Sequence, residues 1–145
     1  MKVDRARILD EALTLLNEVG VDGLTTRMLA ARLGGQQPAL YWHFRNKRAL
    51  LDAMNEEILA RRPQRALPAS SAEWRAFLEA NAGDFRDALT AWRDGGRVHA
   101  GTEAGPHDLD RIEAQLGFLT EAGFSTAFAM DLMIAISRYT VGCVV

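Results

Sequence analysis

The chain has 145 residues, enough for one ordinary domain or for a small head joined to part of a second. Its 48% apolar and 25% charged content is that of a folded globular protein and excludes a disordered one. A net charge of −2 excludes a global pull onto nucleic acid, but the charge is uneven: residues 1–62 carry 10 Lys and Arg against 8 Asp and Glu, and residues 63–145 carry 7 against 11. The single Cys143 cannot form an intramolecular disulfide, and no Cys/His cluster has metal-site spacing. The opening MKVDRARILDEAL is not a secretory signal, and residues 128–145, interrupted by Asp131 and Arg138, fall short of a membrane span. The expected setting is a reducing cytoplasm, with no membrane partner.

Every periodic stretch favours helix, without repeats or strand alternation, so the expected fold class is all-α. After Asp4, the residues Ile8, Leu9, Ala12, Leu13, Leu15, Leu16 and Val19 recur at three- and four-residue steps until Gly20 stops the helix. Thr25 is the N-cap of a second helix through Leu33, stopped by Gly34. A short third helix spans about residues 36–43, with Pro38 tolerated in its first turn. Asn46 caps a fourth, with Ala49, Leu50, Ala53, Met54, Ile58 and Leu59 on its apolar side, which ends near Arg62 because Pro63 follows.

Residues 63–71 are a linker by composition, and Ser70 with Glu73 has capping-box spacing before a long helix. Its apolar stripe comprises Trp74, Phe77, Leu78, Phe85, Ala88, Leu89 and Trp92, with the polar Asn81 as its odd member. Between Trp92 and Leu109 the pattern breaks at Gly95, Gly96, Gly101, Gly105 and Pro106, leaving room for a short helix at most. That segment is the expected place for ligand contact or movement. Ile112, Gln115, Leu116 and Leu119 mark a further helix stopped by Gly123, and Ser125 caps the last one. That last helix halts on bare apolar residues at Val145, so the sequence is expected to be part of a longer protein. The expected units are a helix-turn-helix DNA-binding domain at residues 1–46, a connecting helix at 47–62, and an incomplete ligand-binding and dimerisation domain at 70–145.

The run LTTRMLAARLGGQQPALYWHFRNKRALL, residues 24–51, holds Arg27, Arg32, Arg45, Lys47 and Arg48, and no carboxylate lies between Asp22 and Asp52. A packed helical hairpin with incidental surface charge would share these helices. Against that, the third helix is too short to be stable alone. Its outer face offers the hydrogen-bonding groups of Gln36, Gln37, Tyr41 and His43 rather than solvating charges. Lys47 and Arg48 open the next helix, whose dipole also favours a phosphate. Double-stranded DNA is the partner that this segment fits.

The stretch LLNEVGVDGLTTRMLAARLGGQQPALYWHFRNKRALLDAM resembles the DNA-binding head of the TetR family, and QPALYWHFRNKRALLDA resembles its tetracycline-repressor branch. The likeness continues through WRAFLEANAGDFRDAL, RDGGRVHAGT, QLGFLTEAGFS and TVGCV, so it covers essentially the whole chain. It implies that Arg27, Gln37, Pro38, Ala39, Tyr41 and His43 face the major groove, and that Thr26, Trp42 and Lys47 contact phosphate. Ala39 departs from the threonine of the branch.

The resemblance further implies a small-molecule inducer, a tetracycline–Mg²⁺ chelate, with His99 as the direct metal ligand and Thr102 acting on the ion through water. Asn81, Phe85 and Gln115 match drug-contacting positions, and Ile112 and Met130 match apolar wall positions. Pro63 and Arg138 stand where the branch carries histidines, and Glu103 and Ala104 replace an Arg-Pro pair. Taken by itself, each of His99, Asn81 and Gln115 could equally be a satisfied structural polar group.

The implied protein is a ligand-responsive transcriptional repressor. It would bind a palindromic operator as a homodimer, with two third helices one helical turn apart, and be released by its inducer. The alternatives are a related regulator answering to a different small molecule and a truncated, dimerisation-deficient fragment. No nucleophile–base pair at recognisable spacing supports an enzyme.

Overall fold

The structure, a computed structural model, describes residues 4–35, 37–62, 64–102 and 105–145, without the side chains of Gln37, Pro106 and His107. Expectations that rest on Gln36, Pro63, Glu103 and Ala104, or on the Gln37 side chain, lie outside it. Among the described residues the chain is helical, without strands: α1 (Arg5–Gly23), α2 (Thr26–Arg32), α3 (Gln37–His43), α4 (Lys47–Ala60), α5 (Trp74–Thr90), α6 (Gly95–Ala100), α7 (Pro106–Glu121) and α8 (Thr126–Val144).

Local chemistry sets most of these boundaries. Asp4 Oδ1 accepts from the Arg7 amide at 2.8 Å, Thr25 Oγ1 from Met28 at 3.1 Å, Asn46 Oδ1 from Ala49 at 2.9 Å and Ser125 Oγ from Phe128 at 3.2 Å. The turn after α2 is a Schellman arrangement: Gly35 donates to the Ala30 carbonyl at 2.8 Å and Gly34 to Ala31 at 3.2 Å. Both glycines have positive φ, +80° and +78°, which L side chains rarely adopt.

Two apolar cores result. In the first, Ile8, Leu13, Leu16, Leu29, Leu40, Leu50 and Met54 lock α1 to α4 together, and Val98 of α6 inserts among them. In the second, Phe77 and Leu78 of α5 pack on Phe118 and Leu119 of α7 and Ala129 of α8. The Phe77 and Phe118 rings meet edge to face at 5.3 Å, and Trp74 meets Phe124 the same way at 4.8 Å. The short α6 touches α4, α5 and α8 and so sits between the cores.

Three expectations are corrected. Ser70 caps a single 3₁₀ turn at Ser71–Glu73, not the long helix, because its oxygen accepts from Ala72 at 3.3 Å. Trp92 lies past the end of α5 and packs on the head core, so it does not continue the α5 stripe. Helix α7 begins at Pro106, ahead of the apolar periodicity, because Asp108 Oδ2 accepts from the Gly105 amide at 3.2 Å and secures the first turn.

Candidate functional site

On the head, α3 turns Leu40 into the core, with Phe44 just beyond it, and leaves Pro38, Tyr41 and Trp42 outward at helical spacing. Trp42 is 86% exposed and Tyr41 48%, an uncommon display of aromatic surface on a seven-residue helix. Ala39 and His43 are half-buried on its flank. From α2, Arg27 is exposed and Thr26 half-buried.

The cations of residues 24–51 divide by what they touch. Arg32 is drawn inward by Glu18 at 2.8 Å and Glu11 at 3.8 Å, and Arg48 pairs with Asp52 at 3.1 Å. Lys47 donates to the Val21 carbonyl at 3.1 Å, so its ammonium ties α4 to the end of α1. Arg27 and Arg45 are exposed and make no ion pair among the described residues. Arg45 was not among the residues expected to contact DNA, although the run of cations contained it.

In the body, Asn81, Phe85, His99, Thr102, Ile112, Gln115 and Met130 all line one cavity of about 400 Å³. All seven ligand-site expectations thus meet in one place, drawn from α5, α6, α7 and α8 and from the turn after α6. Arg138 lines it too. Its size and mixed apolar and polar lining suit a small organic molecule.

His99 is the best-defined polar group there. Its Nδ1 lies 2.9 Å from Asn55 Oδ1, an acceptor, so Nδ1 carries the proton and Nε2 keeps its lone pair. The Phe85 ring lies edge to face at 5.1 Å. Burial, with added repulsion from Arg62 and Arg111 and partial compensation by Asp108, lowers the imidazole below its ordinary value of 6.5 and keeps it neutral at pH 7. Thr102 Oγ1 donates to the His99 carbonyl at 2.9 Å and keeps its lone pairs.

A neutral, tautomer-fixed imidazole is a competent metal ligand. Among the described residues, however, no group of three or more His, Cys, Asp and Glu could hold an ion unaided. An ion at His99 would therefore bring most of its oxygen ligands with it, which is the requirement that a chelate meets.

Among the lining residues that escaped the sequence reading, two are polar and almost fully buried. Asn55 is 2% exposed on the buried side of α4. Arg62, just past α4, is 8% exposed, and burial with repulsion from Arg111 pushes its guanidinium down to about 10. A polar residue inside an apolar helix face was the available signal for Asn55; nothing local marked Arg62.

The cavity connects to the head through α6 and the turn before it. The Arg93 amide donates to Asn17 Oδ1 at 2.8 Å and its Nη1 to the Glu18 carbonyl at 2.7 Å. Asp94, at φ +57°, accepts from the Val21 amide at 2.9 Å, and Arg97 forks onto Asp22 at 2.9 and 3.0 Å. One short helix thus carries a ligand-facing His99 at its end and head contacts at its start.

Residues 8–54 match the bacterial regulatory proteins of the tetR family, and residues 67–145 match the tetracyclin repressor-like C-terminal domain. The chain is 56% identical over 143 residues to the class A tetracycline repressor protein of transposon 1721 from Escherichia coli, covering 99% of this chain and 66% of that protein's length. Among solved structures, a TetR variant from Acinetobacter baumannii AYE in complex with minocycline superposes with a TM-score of 0.93 at 51% identity, over 99% of this chain and 80% of that one. A class A TetR in complex with 5a,6-anhydrotetracycline and magnesium gives 0.85 at 54% identity, over 97% and 79%.

Proposed function

The chain belongs to the TetR family of bacterial regulatory proteins, and on that premise we propose that it is a transcriptional repressor, not an enzyme. It binds a palindromic operator as a homodimer and is released by a small molecule in the cavity around His99. The observation that carries this reading is α6, which lines the cavity with His99 and grips the end of α1 through Asp94 and Arg97.

The head at residues 1–46 places α3 in the major groove. Arg27, Gln37, Pro38, Ala39, Tyr41 and His43 face bases; Thr26, Trp42, Lys47 and the unpaired Arg45 face phosphate. Residues 47–62 connect the head to the body at 70–145. A ligand that reorders the turn at Thr102 shifts α6, and with it the Asp94 and Arg97 contacts that set the angle of the head. This is a population shift, so the ligand must favour the operator-incompetent arrangement.

The inducer of this reading is a tetracycline chelated to Mg²⁺, supported by relatives that bind minocycline and, with magnesium, anhydrotetracycline. His99 would hold the ion directly and Thr102 through water, and the ion would supply positive charge linking the drug's oxygens to the protein. Asn81 and Gln115 would donate and accept hydrogen bonds, while Phe85, Ile112 and Met130 exclude water. The dimer is formed around α8, which leaves Phe128 at 55% and Tyr139 at 76% exposure. Contrary to the sequence expectation, that helix is long and apolar enough to cross a bilayer by length and composition; in this proposal its exposed side forms the subunit contact. The protein acts in the cytoplasm, where its operator is.

Selection from a pool of random DNA duplexes tests the proposal, followed by fluorescence anisotropy with the enriched duplex. A palindromic consensus is expected, with affinity falling about 10-fold or more when tetracycline and Mg²⁺ are added together. Failure to enrich any duplex defeats the repressor reading. An operator complex indifferent to tetracycline with Mg²⁺ defeats this inducer and favours a regulator of a different small molecule.

A further inference from the structure

We propose that the cavity selects a ligand carrying an anionic group on an apolar body, and that Arg62 binds that group. The proposal rests on reading this cavity as the inducer site. Arg62 is 92% removed from solvent, at 8% exposure, and lines the cavity without a hydrogen bond or ion pair to any described residue. Its Cζ lies 5.7 Å from the Phe85 ring centroid.

The carboxylates nearby are already taken. Asp108 accepts from Arg111 at 2.8 Å and from the Gly105 amide at 3.2 Å, and Asp84 is forked by Arg65 at 2.7 and 3.0 Å. A guanidinium has five N–H donors, and burying them unbonded is costly. Among the described residues no side-chain nitrogen or oxygen sealed from solvent lacks a partner, so the unbonded donors of Arg62 open onto the cavity.

The surroundings sharpen the choice of ligand. Arg111 and Arg138 line the same cavity, with Asp108 as the one carboxylate among its described lining residues. Leu78, Ile112, Met130 and Met133 supply apolar wall, which lowers the local dielectric and strengthens the pull of Arg62 on an anion. A planar guanidinium matches a planar oxyanion, such as a carboxylate or a delocalised enolate, through two parallel hydrogen bonds. His99 and Arg62 both contact the Phe85 ring, so one ligand lying along that ring reaches both.

The test uses two fluorescent probes with one aromatic body: 1-anilinonaphthalene-8-sulfonate, which carries an anion, and N-phenyl-1-naphthylamine, which does not. The wild-type chain is expected to prefer the sulfonate by about 10-fold or more, the size of a charge-assisted hydrogen bond. Arg62→Met should bring that preference to within about 2-fold, and Arg62→Lys should keep part of it. Arg62→Met should also raise the thermal midpoint by roughly 2–4 °C, because it removes a mostly buried charge that has no hydrogen bond or ion pair to any described residue. A purely structural arginine would lower the midpoint instead.

Absence of a preference in the wild type overturns the proposal. So does a preference that survives Arg62→Met, and so does a lowered midpoint with the preference intact. Operator binding measured on the same samples separates the two readings: a lost operator complex with an Arg62-dependent preference sinks the repressor and leaves the anion site standing. An intact, tetracycline-sensitive operator complex without any preference does the reverse. Arg138→Met, at an exposed lining position, folds without risk to the core and is expected to reduce the preference by a smaller factor.

Discussion

Asn55 decides which nitrogen of His99 faces the cavity. Its Oδ1 fixes the imidazole proton on Nδ1 across 2.9 Å, and Asn55 itself is sealed at 2% exposure. Asn55→Ala is therefore expected to lower Mg²⁺-dependent tetracycline affinity by about 10–100-fold, with operator affinity unchanged. Isothermal titration with and without Mg²⁺ checks this, and an unchanged affinity would separate the pair from binding. His99 also predicts a pH effect. Its folded pKa lies below 6.5, so the unfolded chain binds more protons between the two values. Its contribution to stability is full above pH 6.5 and is lost as pH falls through the lower, folded value. Urea unfolding at pH 7.5 and 5.5 should show a larger loss for the wild type than for His99→Gln. On the head, Arg27 is exposed and unpaired, so Arg27→Ala should relax discrimination at one base pair by about 1–3 kcal/mol with little change in stability. Uniform weakening on all sequences would instead place it on phosphate.

At the scale of elements, α6 is the coupler, and its sequence is constrained for that role. A Cβ on Gly95 would lie 2.2 Å from the Leu89 carbonyl, and one on Gly20, at φ +74°, would lie 2.7 Å from Asp94 Oδ2. Gly95 lets α6 turn back closely against the end of α5, and Gly20 lets the head approach the Asp94 carboxylate. Arg97→Ala removes an exposed, solvent-screened ion pair, so its cost in stability is small. It should nonetheless shrink the ratio of operator affinities without and with inducer, while inducer affinity holds. Equal ratios in wild type and variant would remove Arg97 from the coupling. The sequence discloses these elements unevenly. Caps at Asp4, Thr25, Asn46 and Ser125 are legible because each acts on an amide three residues away. The seven cavity residues are legible through their resemblance to a known branch, not through their own spacing. Asn55 is legible only as a polar residue on an apolar face, since its partner is 44 residues off, and Arg62 is not legible, since it has no hydrogen-bond partner among the described residues. The early start of α7 is missed because a single carboxylate, Asp108, does what apolar periodicity does elsewhere.

For the whole molecule, the distribution of surface decides assembly. Helix α8 buries Ala129 and Thr140 and leaves Phe128 and Tyr139 outward on one side, large apolar surface that a partner would cover. In the proposed dimer this face meets its copy, so a charge introduced there should be felt at the operator. Tyr139→Glu is expected to shift sedimentation toward the monomer and to weaken palindromic duplexes far more than single half-sites. A dimer unaffected by that change would move the subunit contact elsewhere. The net charge of −2, unhelpful to DNA binding as a total, matters little once the cations are gathered on the heads.

The peptide groups of Val21 are held from two sides: its amide by Asp94 of the body, its carbonyl by Lys47 of the connecting helix. That backbone proton is therefore a natural spectroscopic probe. Its solvent-exchange rate should rise whenever ligand binding loosens the Asp94 contact, so a single amide resonance would report cavity occupancy without any label in the cavity or on DNA.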